Sequence, residues 1–325
     1  MTAIPAWRSG TAWRRMFRDR PIVPLTILLV ALVIVLQVAE PGIVNPGWAS
    51  STIRFAVPLA ILAASQTLTM LTAGIDLSAA AVASLSAYIV YTQSPEQGPW
   101  LAIAIALGVA AVAGLINGIG AGIFRVHPLI MTLGMSLVVL GFVTVYQRIM
   151  VASGHRVPDE VSWLGNATSF GFFPNSLLVF LPLAAIILLG LPRSGFGRLL
   201  YAIGDNEIAA RLSGVRVWQV LVLLYVIAAV LAGIAGIMLS GVTNAASATL
   251  ADRYLLPSVA AAVIGGTSIF GGRGGYAGTI VGALILTVLT TLLTVMDMPE
   301  PVRQILFGLI ILAVATAYTR VTDEA

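Results

Sequence analysis

The chain has 325 residues, 59% of them hydrophobic and only 9% charged, with a formal net charge of +4. A soluble domain carries about 25% charged residues, so there is too little polar surface here to wrap a water-soluble globule. The chain has no Cys and no Lys. That excludes disulfides, a Cys metal site and a Walker A loop, whose Lys must reach the nucleotide phosphates.

Two His, His127 and His155, are too few for a His-rich metal centre. No GxSxG elbow frames a serine nucleophile. The pI near 9.8 suggests nucleic acid, but in a membrane chain excess Arg sets topology instead. The apolar residues fall in long blocks: 22–39 and 98–124 contain no charge. About 18 such residues span the hydrocarbon core as a helix, and the alternating strands of an outer-membrane barrel are absent.

Arg14, Arg15, Arg18 and Arg20 precede the first apolar run, as in a signal peptide. The run is too long for a signal core, and Glu40-Pro41-Gly42 stands where a cleavage site would. It reads as a retained first span. Breaking the chain at Gly, Pro and charge clusters gives ten predicted spans: 22–39, 54–73, 77–92, 99–124, 128–148, 176–192, 217–240, 255–270, 275–296 and 301–319. With residues 1–21 in the cytoplasm, alternation places Arg8, Arg14, Arg15, Arg18, Arg20, Arg125, Arg193, Arg198, Arg211, Arg216, Arg273 and Arg320 inside. Arg54, Arg148, Arg156, Arg253 and Arg303 fall outside. This is the bias of the positive-inside rule, and Trp13, Trp48, Trp100 and Trp218 mark span ends where indole rings favour the headgroup layer. Both termini, including the tail 320–325, come out cytoplasmic. Residues 22–319 form one transmembrane domain with an outer loop at 149–175 and a cytoplasmic loop at 193–216.

Spans 2–5 and 7–10 run in opposite senses and suggest an inverted repeat. The second span of each set is short and small-residue-rich, Ser78 to Val82 and Ser258 to Ala262, and follows an acid, Asp76 or Asp252. Short spans at matching places in two halves point to a solute path.

The loop 193–216 holds a short helix outside the bilayer. Asp205 or Asn206 caps its first N–H groups. Glu207 and Arg211 suit the two ends of its dipole, and Gly214 takes the left-handed turn that stops it. Ile208, Ala209, Leu212 and Val215 make a small apolar face. Such a face fits a protein partner or packing back on its own domain.

This loop resembles the coupling segment of ribose-type permeases of ATP-binding cassette importers. Thr72-Ala73-Gly74-Ile75-Asp76-Leu77-Ser78 is similar to the family's glycine-isoleucine-aspartate-leucine-serine motif. Gly265-Gly266-Thr267-Ser268-Ile269-Phe270-Gly271-Gly272-Arg273-Gly274-Gly275 resembles another of its stretches, and Asn117-Gly118 and Pro128 to Gly134 agree. The resemblance runs from about residue 50 to 320, in the family's order. The chain departs from it at Ala79-Ala80-Ala81, where Val-Gly-Ser is common; the missing Gly bears on the packing of the third span.

The resemblance implies an all-α polytopic permease subunit of a monosaccharide importer, with Gly204, Asn206, Glu207, Ala209, Ala210, Arg211, Leu212 and Gly214 as the ATPase-coupling segment. It also implies a second permease subunit (a copy or a paralogue), cytoplasmic ATPase subunits and a periplasmic sugar-binding protein. The chain itself would bind no cofactor, and ATP and Mg would be used by the ATPase partners. The glycines Gly265, Gly266, Gly271 and Gly272 are characteristic of the family; physically they allow tight turns and close helix approach. A phosphate loop would need a preceding strand, and none is predicted.

Polar side chains inside apolar spans are candidates for the solute path: Gln66, Thr67 and Thr69, Asn117, Thr132 and Ser136, and Asn244 after span 7. Each can equally bond helix to helix. Asp76 is the one acid near membrane depth, where ionisable groups usually face a cavity; with Ser78 it can also cap span 3. Arg273 suits an acid or a lipid phosphate. His127 reads as interfacial, and His155, Asp159 and Glu160 lie where a binding protein would approach. Rival readings are a permease for branched-chain amino acids, a stand-alone secondary transporter or channel, and an intramembrane enzyme. The scarcity of membrane carboxylates argues against a proton-coupled carrier, and the lack of a nucleophile–base pair against an enzyme.

Overall fold

Proline and asparagine punctuate the chain before its helices. Pro46, Pro99 and Pro128 each occupy a first helical position, where the missing N–H costs nothing. Asn45 Oδ1 accepts the Trp48 N–H at 2.9 Å, and His127 Nδ1 accepts the Leu129 N–H at 3.3 Å.

In the computed structural model, residues 22–150, 156–299, 301–309 and 312 are described. They form α1 (Ile22–Ala39), α2 (Pro46–Met70), α3 (Ala79–Gln97), α4 (Pro99–Gly122), α5 (Pro128–Ile149), α6 (Asp159–Asn166), β1 (Thr168–Ser169), β2 (Phe173–Pro174), α7 (Ser176–Arg193), α8 (Gly195–Asp205), α9 (Glu207–Leu212), α10 (Val217–Thr243), α11 (Asp252–Ile264) and α12 (Tyr276–Val295). A further helical stretch covers 301–309. The expectations for Arg8, Arg14, Arg15, Arg18, Arg20, Trp13, His155, Arg320, the second half of the tenth span and the tail lie outside the described residues.

Among the described residues seven helices, α1, α2, α4, α5, α7, α10 and α12, are long and apolar enough to cross a membrane. α3 and α11 sit where spans 3 and 8 are predicted, but α11 has only 13 residues. Span 8 is therefore corrected: the helix stops at Gly265, and 265–275 is a glycine-rich loop rather than helix. Span 2 starts earlier than predicted, because the Asn45 cap and Pro46 initiate it. Arg54 consequently lies two turns inside the helix, its guanidinium bonded to the backbone and side chain of Asn166. The outer loop is not irregular throughout: it contains α6 and the two-residue antiparallel pair β1–β2.

α2 and α10 form the centre. α10 packs on α3 and α4, while α2 packs on α11 and α12, and the two central helices pack on each other. α3 pairs with α4 and α11 with α12. The α4–α10 contact follows from small residues four apart: Ala102, Ala106, Ala110, Gly114, Gly118 and Gly122 are all buried. A Cβ on Gly114 would stand 2.3 Å from the Tyr225 carbonyl oxygen, and one on Gly118 2.6 Å from Val222 Cα. Only glycine lets the backbones approach so closely, the packing that drives helix association in lipid. Large apolar side chains of α1, α5 and α7, among them Val38, Val138 and Ile186, point outward, as a lipid-facing surface requires.

Loops alternate between the two ends of the bundle. Residues 71–78, 123–127, 193–216 and 265–275 gather at one end. At the other end Gly241 of α10 packs on Val161 and Gly165 of α6, near the Arg54–Asn166 contact.

Candidate functional site

Three separate stretches of sequence converge at the first end. α8 runs from a capped start, where Ser194 Oγ accepts the Gly197 N–H at 2.9 Å, to Asp205. Its last turn touches the other two stretches through Gly204. A Cβ there would lie 1.8 Å from the Leu71 carbonyl oxygen and 2.5 Å from the Gly272 nitrogen. The Gly272 N–H in turn donates to the Leu71 carbonyl at 3.0 Å. Gly271 and Gly272 have φ of +87° and +70°, conformations that glycine adopts without strain. The Tyr201 hydroxyl of α8 donates to the Gly274 carbonyl at 2.9 Å, and its burial pushes that hydroxyl's pKa upward. Gly265 and Gly266 do other work in the same loop. Gly265 packs on the backbone of Gly278 and Thr279, and Gly266 turns the chain out of α11 with φ +89°. Arg273 is in no ion pair among the described residues.

The loop 193–216 is two helices rather than one. Asn206 is extended between them, and its Oδ1 accepts the Ala209 N–H at 2.9 Å, so Asn206 and not Asp205 is the cap. Gly214 has φ +86°, with Gly214 N–H donating to Arg211 O and Val215 N–H to Ala210 O, the paired bonds of a glycine-terminated helix. Glu207 and Arg211 form an ion pair one turn apart. Ala210 alone faces inward, whereas Ile208 is 73% exposed and Leu212 85%. An open cleft of about 780 Å³ separates α9 from the 123–127 loop, with Arg125, His127 and Thr72 on its walls. α9 is therefore tied to the bundle through its ends and leaves an apolar pair projecting.

Four of the candidate path residues, Gln66, Asp76, Asn117 and Thr132, lie in one buried hydrogen-bond network just behind this junction. Gln66 Nε2 donates to the Asp76 carbonyl at 2.7 Å, and Gln66 Oε1 accepts the Asp76 N–H at 3.3 Å. Asp76 Oδ1 accepts from the Ser78 N–H at 2.9 Å and the Ser78 hydroxyl at 2.6 Å. Asn117 Nδ2 donates to Ser78 Oγ at 2.9 Å. Thr132 Oγ1 donates to the Ile75 carbonyl at 3.0 Å and accepts the Leu77 N–H at 3.1 Å. Asp76 is 1% exposed, so hydrogen bonds from Ser78 rather than water satisfy its carboxyl group. These side chains pin the 71–78 loop to α2, α4 and α5.

Asn244 lies apart from that network. It is exposed in the left-handed region (φ 50°, ψ 32°) at the far end of α10. Thr67 bonds Thr279 of α12 at 2.8 Å, helix to helix, and Thr69 returns its proton to its own helix. Asp159 and Glu160 are exposed on the first turn of α6. The sequence reading missed Ser78 as the centre of the network and Tyr201 as the bridge to the glycine loop. Asp76 beside Ser78 is local, but spacing marks neither the Asn117–Ser78 bond nor the Tyr201–Gly274 bond, because those partners are distant in the chain. Among the described residues no cluster of three His, Asp or Glu could hold a metal ion.

The family profile described as branched-chain amino acid transport system / permease component matches residues 49–315. The chain is 36% identical over 267 residues to a fructose import permease protein, FrcC, of Rhizobium meliloti, covering 78% of this chain and 73% of that one. It is 33% identical to a ribose import permease protein, RbsC, of Escherichia coli strain K12, over 78% of this chain and 79% of the relative. The corresponding Bacillus subtilis protein is 32% identical over 87% and 88%. No solved structure matches the chain. With seven helices able to cross a bilayer and a family match over most of its length, this multi-pass membrane protein belongs to the branched-chain amino acid transport system / permease component family.

Proposed function

We propose that the chain is the membrane-spanning permease subunit of an ATP-binding cassette importer for a monosaccharide, a pentose or similar sugar. The observation that carries this is the exposed pair Ile208 and Leu212 on the capped helix α9, which Asn206 links to the Gly204 junction. An apolar pair at the water-facing end of a membrane protein favours a docked partner. Gly204, Asn206, Glu207, Ala209, Ala210, Arg211, Leu212 and Gly214 form the coupling segment seated in cytoplasmic ATPase subunits, which use ATP and Mg. A periplasmic binding protein delivers the sugar at the opposite end, and a second permease subunit completes the pathway. The relatives named for fructose and ribose import favour a sugar; the family's description keeps branched-chain amino acids as the second reading.

The protein sits in a bacterial inner membrane with ten spans between 22 and 319 and both termini cytoplasmic. The inverted repeat is supported by the contacts. Exchanging α2 with α10, α3 with α11 and α4 with α12 maps the central packing onto itself. In this reading Gln66, Asp76, Asn117 and Thr132 brace the 71–78 loop. They, Leu71 and Gly272 transmit motion of α8 and α9 into the bundle. A partner shifts that equilibrium only through contacts that differ between two states.

The test is sugar-stimulated ATP hydrolysis in proteoliposomes holding the chain with its cognate ATPase and binding protein. Glu207→Ala with Arg211→Ala is expected to abolish stimulation while the complex still assembles. The Glu207–Arg211 ion pair itself contributes only about 0.3–0.5 kcal/mol to stability. Facilitated sugar flux through the chain alone, without ATPase or binding protein, would refute the importer reading. Stimulation by L-leucine in place of D-ribose or D-fructose would select the second reading.

A further inference from the structure

At the end opposite the coupling junction, the first turns of α2 and α11, the last turns of α12 and the stretch 301–309 enclose a cavity of about 420 Å³. This is within the range of small-molecule sites, about 300–1,000 Å³. Its lining includes none of the candidate path residues named from the sequence.

One wall is a threonine stripe. Thr287, Thr290, Thr291 and Thr294 line the cavity from one face of α12, at the three- and four-residue spacing that aligns side chains on a helix. The other face of α12 is occupied: Val288 and Leu292 pack on Leu36 of α1. Each hydroxyl proton goes to the carbonyl four residues back, at 2.8, 2.7, 3.1 and 2.7 Å in chain order. A hydroxyl has one proton and two lone pairs, so the stripe presents acceptors and methyl groups to the cavity.

Donors and flat apolar surface come from the other walls. Trp48 lines the cavity, and its indole Nε1 is buried with no hydrogen-bond partner among the described residues. Sealed from solvent, that N–H is out of a guest's reach, and the indole offers the cavity its ring surface. Arg253 adds an exposed guanidinium, and Phe55 and Tyr254 add aromatic rings. Among the described lining residues there is no carboxylate, so nothing there is suited to an ammonium group.

We infer that this cavity is the outward station of the solute path and takes a small neutral polyhydroxy compound of monosaccharide size. Solute hydroxyls donate to the threonine stripe and accept from Arg253, and the C–H faces pack on the Trp48, Phe55 and Tyr254 rings. The inference rests on the sugar-importer reading and gives that reading a place in the molecule.

The absence of Cys makes the test direct. Thr287→Cys, Thr290→Cys and, as a control on the lipid-facing side of α5, Leu137→Cys are placed singly in the chain, and the permease–ATPase complex is held in nanodiscs. Modification by a membrane-impermeant methanethiosulfonate is followed as a mass shift of this chain, with and without D-ribose, D-fructose or L-leucine. The cavity thiols are expected to react, and one of the sugars to slow them while L-leucine does not. Leu137→Cys is expected to react only with a lipid-soluble maleimide. Independently, Thr290→Val with Thr291→Val is expected to raise the KM for sugar transport about 10-fold at equal complex content, the loss of two hydrogen bonds. Cavity thiols reached only by the lipid-soluble reagent, protection by L-leucine alone, or an unchanged KM in a transporting complex would overturn the inference and leave the importer reading standing. A wild-type complex that moves no sugar would overturn both.

Discussion

The junction of residues 71–78, 204–205 and 271–274 and the cavity around Trp48 and Thr290 lie at opposite ends of the same central helices, and they are built differently. At the junction backbones touch directly, with Gly204 against Leu71 and Gly272, and the polar side chains behind it bond one another. Around the cavity the threonine hydroxyls return their protons to their own helix, and the walls leave a space of about 420 Å³. A close-packed contact transmits displacement, because any shift meets steep repulsion. A half-open concavity accommodates a guest. On the proposed reading, the difference separates a force-bearing end from a solute-receiving end within one bundle.

Substitutions that thicken the junction test the first half of that comparison and carry the largest expected effects. Gly204→Val places side-chain atoms inside the Leu71 backbone, 1.8 Å from a Cβ position. Overpacking of this kind costs about 1–3 kcal/mol; ATP-driven transport is expected to fall to background, with a lowered melting temperature by fluorescence thermal shift. Gly114→Leu, which wedges α4 from α10, is expected to lower the melting temperature as much. If the junction is the transmitting element, the two variants differ in kind: for Gly114→Leu, transport per folded molecule survives better.

A smaller effect is expected from Asp76→Leu. It leaves the Ser78 N–H and hydroxyl without their shared acceptor, about 1–3 kcal/mol for buried groups. Asp76→Asn keeps an acceptor and is expected to retain most transport. Equal loss in both variants would mean that the carboxylate has a role beyond bracing. The smallest effect is expected at Asn244, exposed and in a left-handed turn. Asn244→Gly is expected to change stability and uptake by less than about 0.5 kcal/mol, as surface positions do. A large loss there would return Asn244 to the solute path and blur the contrast between the two ends.

Much of the architecture is legible in the chain. The first span, 22–39, coincides with α1, because an uninterrupted apolar run has no competing reading. The capped helix at 207–212 with its Gly214 stop follows from local chemistry, since side-chain caps and glycine turns act within a few residues. The errors also have local causes. Span 8 was read through Gly265 by composition, and Arg54 was read as a boundary although a long side chain can sit inside a helix and reach its end.

What the sequence alone determined is the membrane class, the positions of the apolar helices, the capped helix at 207–212 and the set of motifs that identify the family. All of these depend on hydropathy, spacing and short-range caps. What only the tertiary structure decided is which motifs meet. Gly204, Leu71 and Gly272 form one contact from three distant stretches, and Gln66, Asp76, Asn117 and Thr132 all bond the 71–78 loop. The threonine stripe of α12 became a cavity wall only when α2 and α11 closed around it. A polar side chain in an apolar helix has the same local signature whether it bonds a neighbour or faces a void, and helix packing alone separates the two.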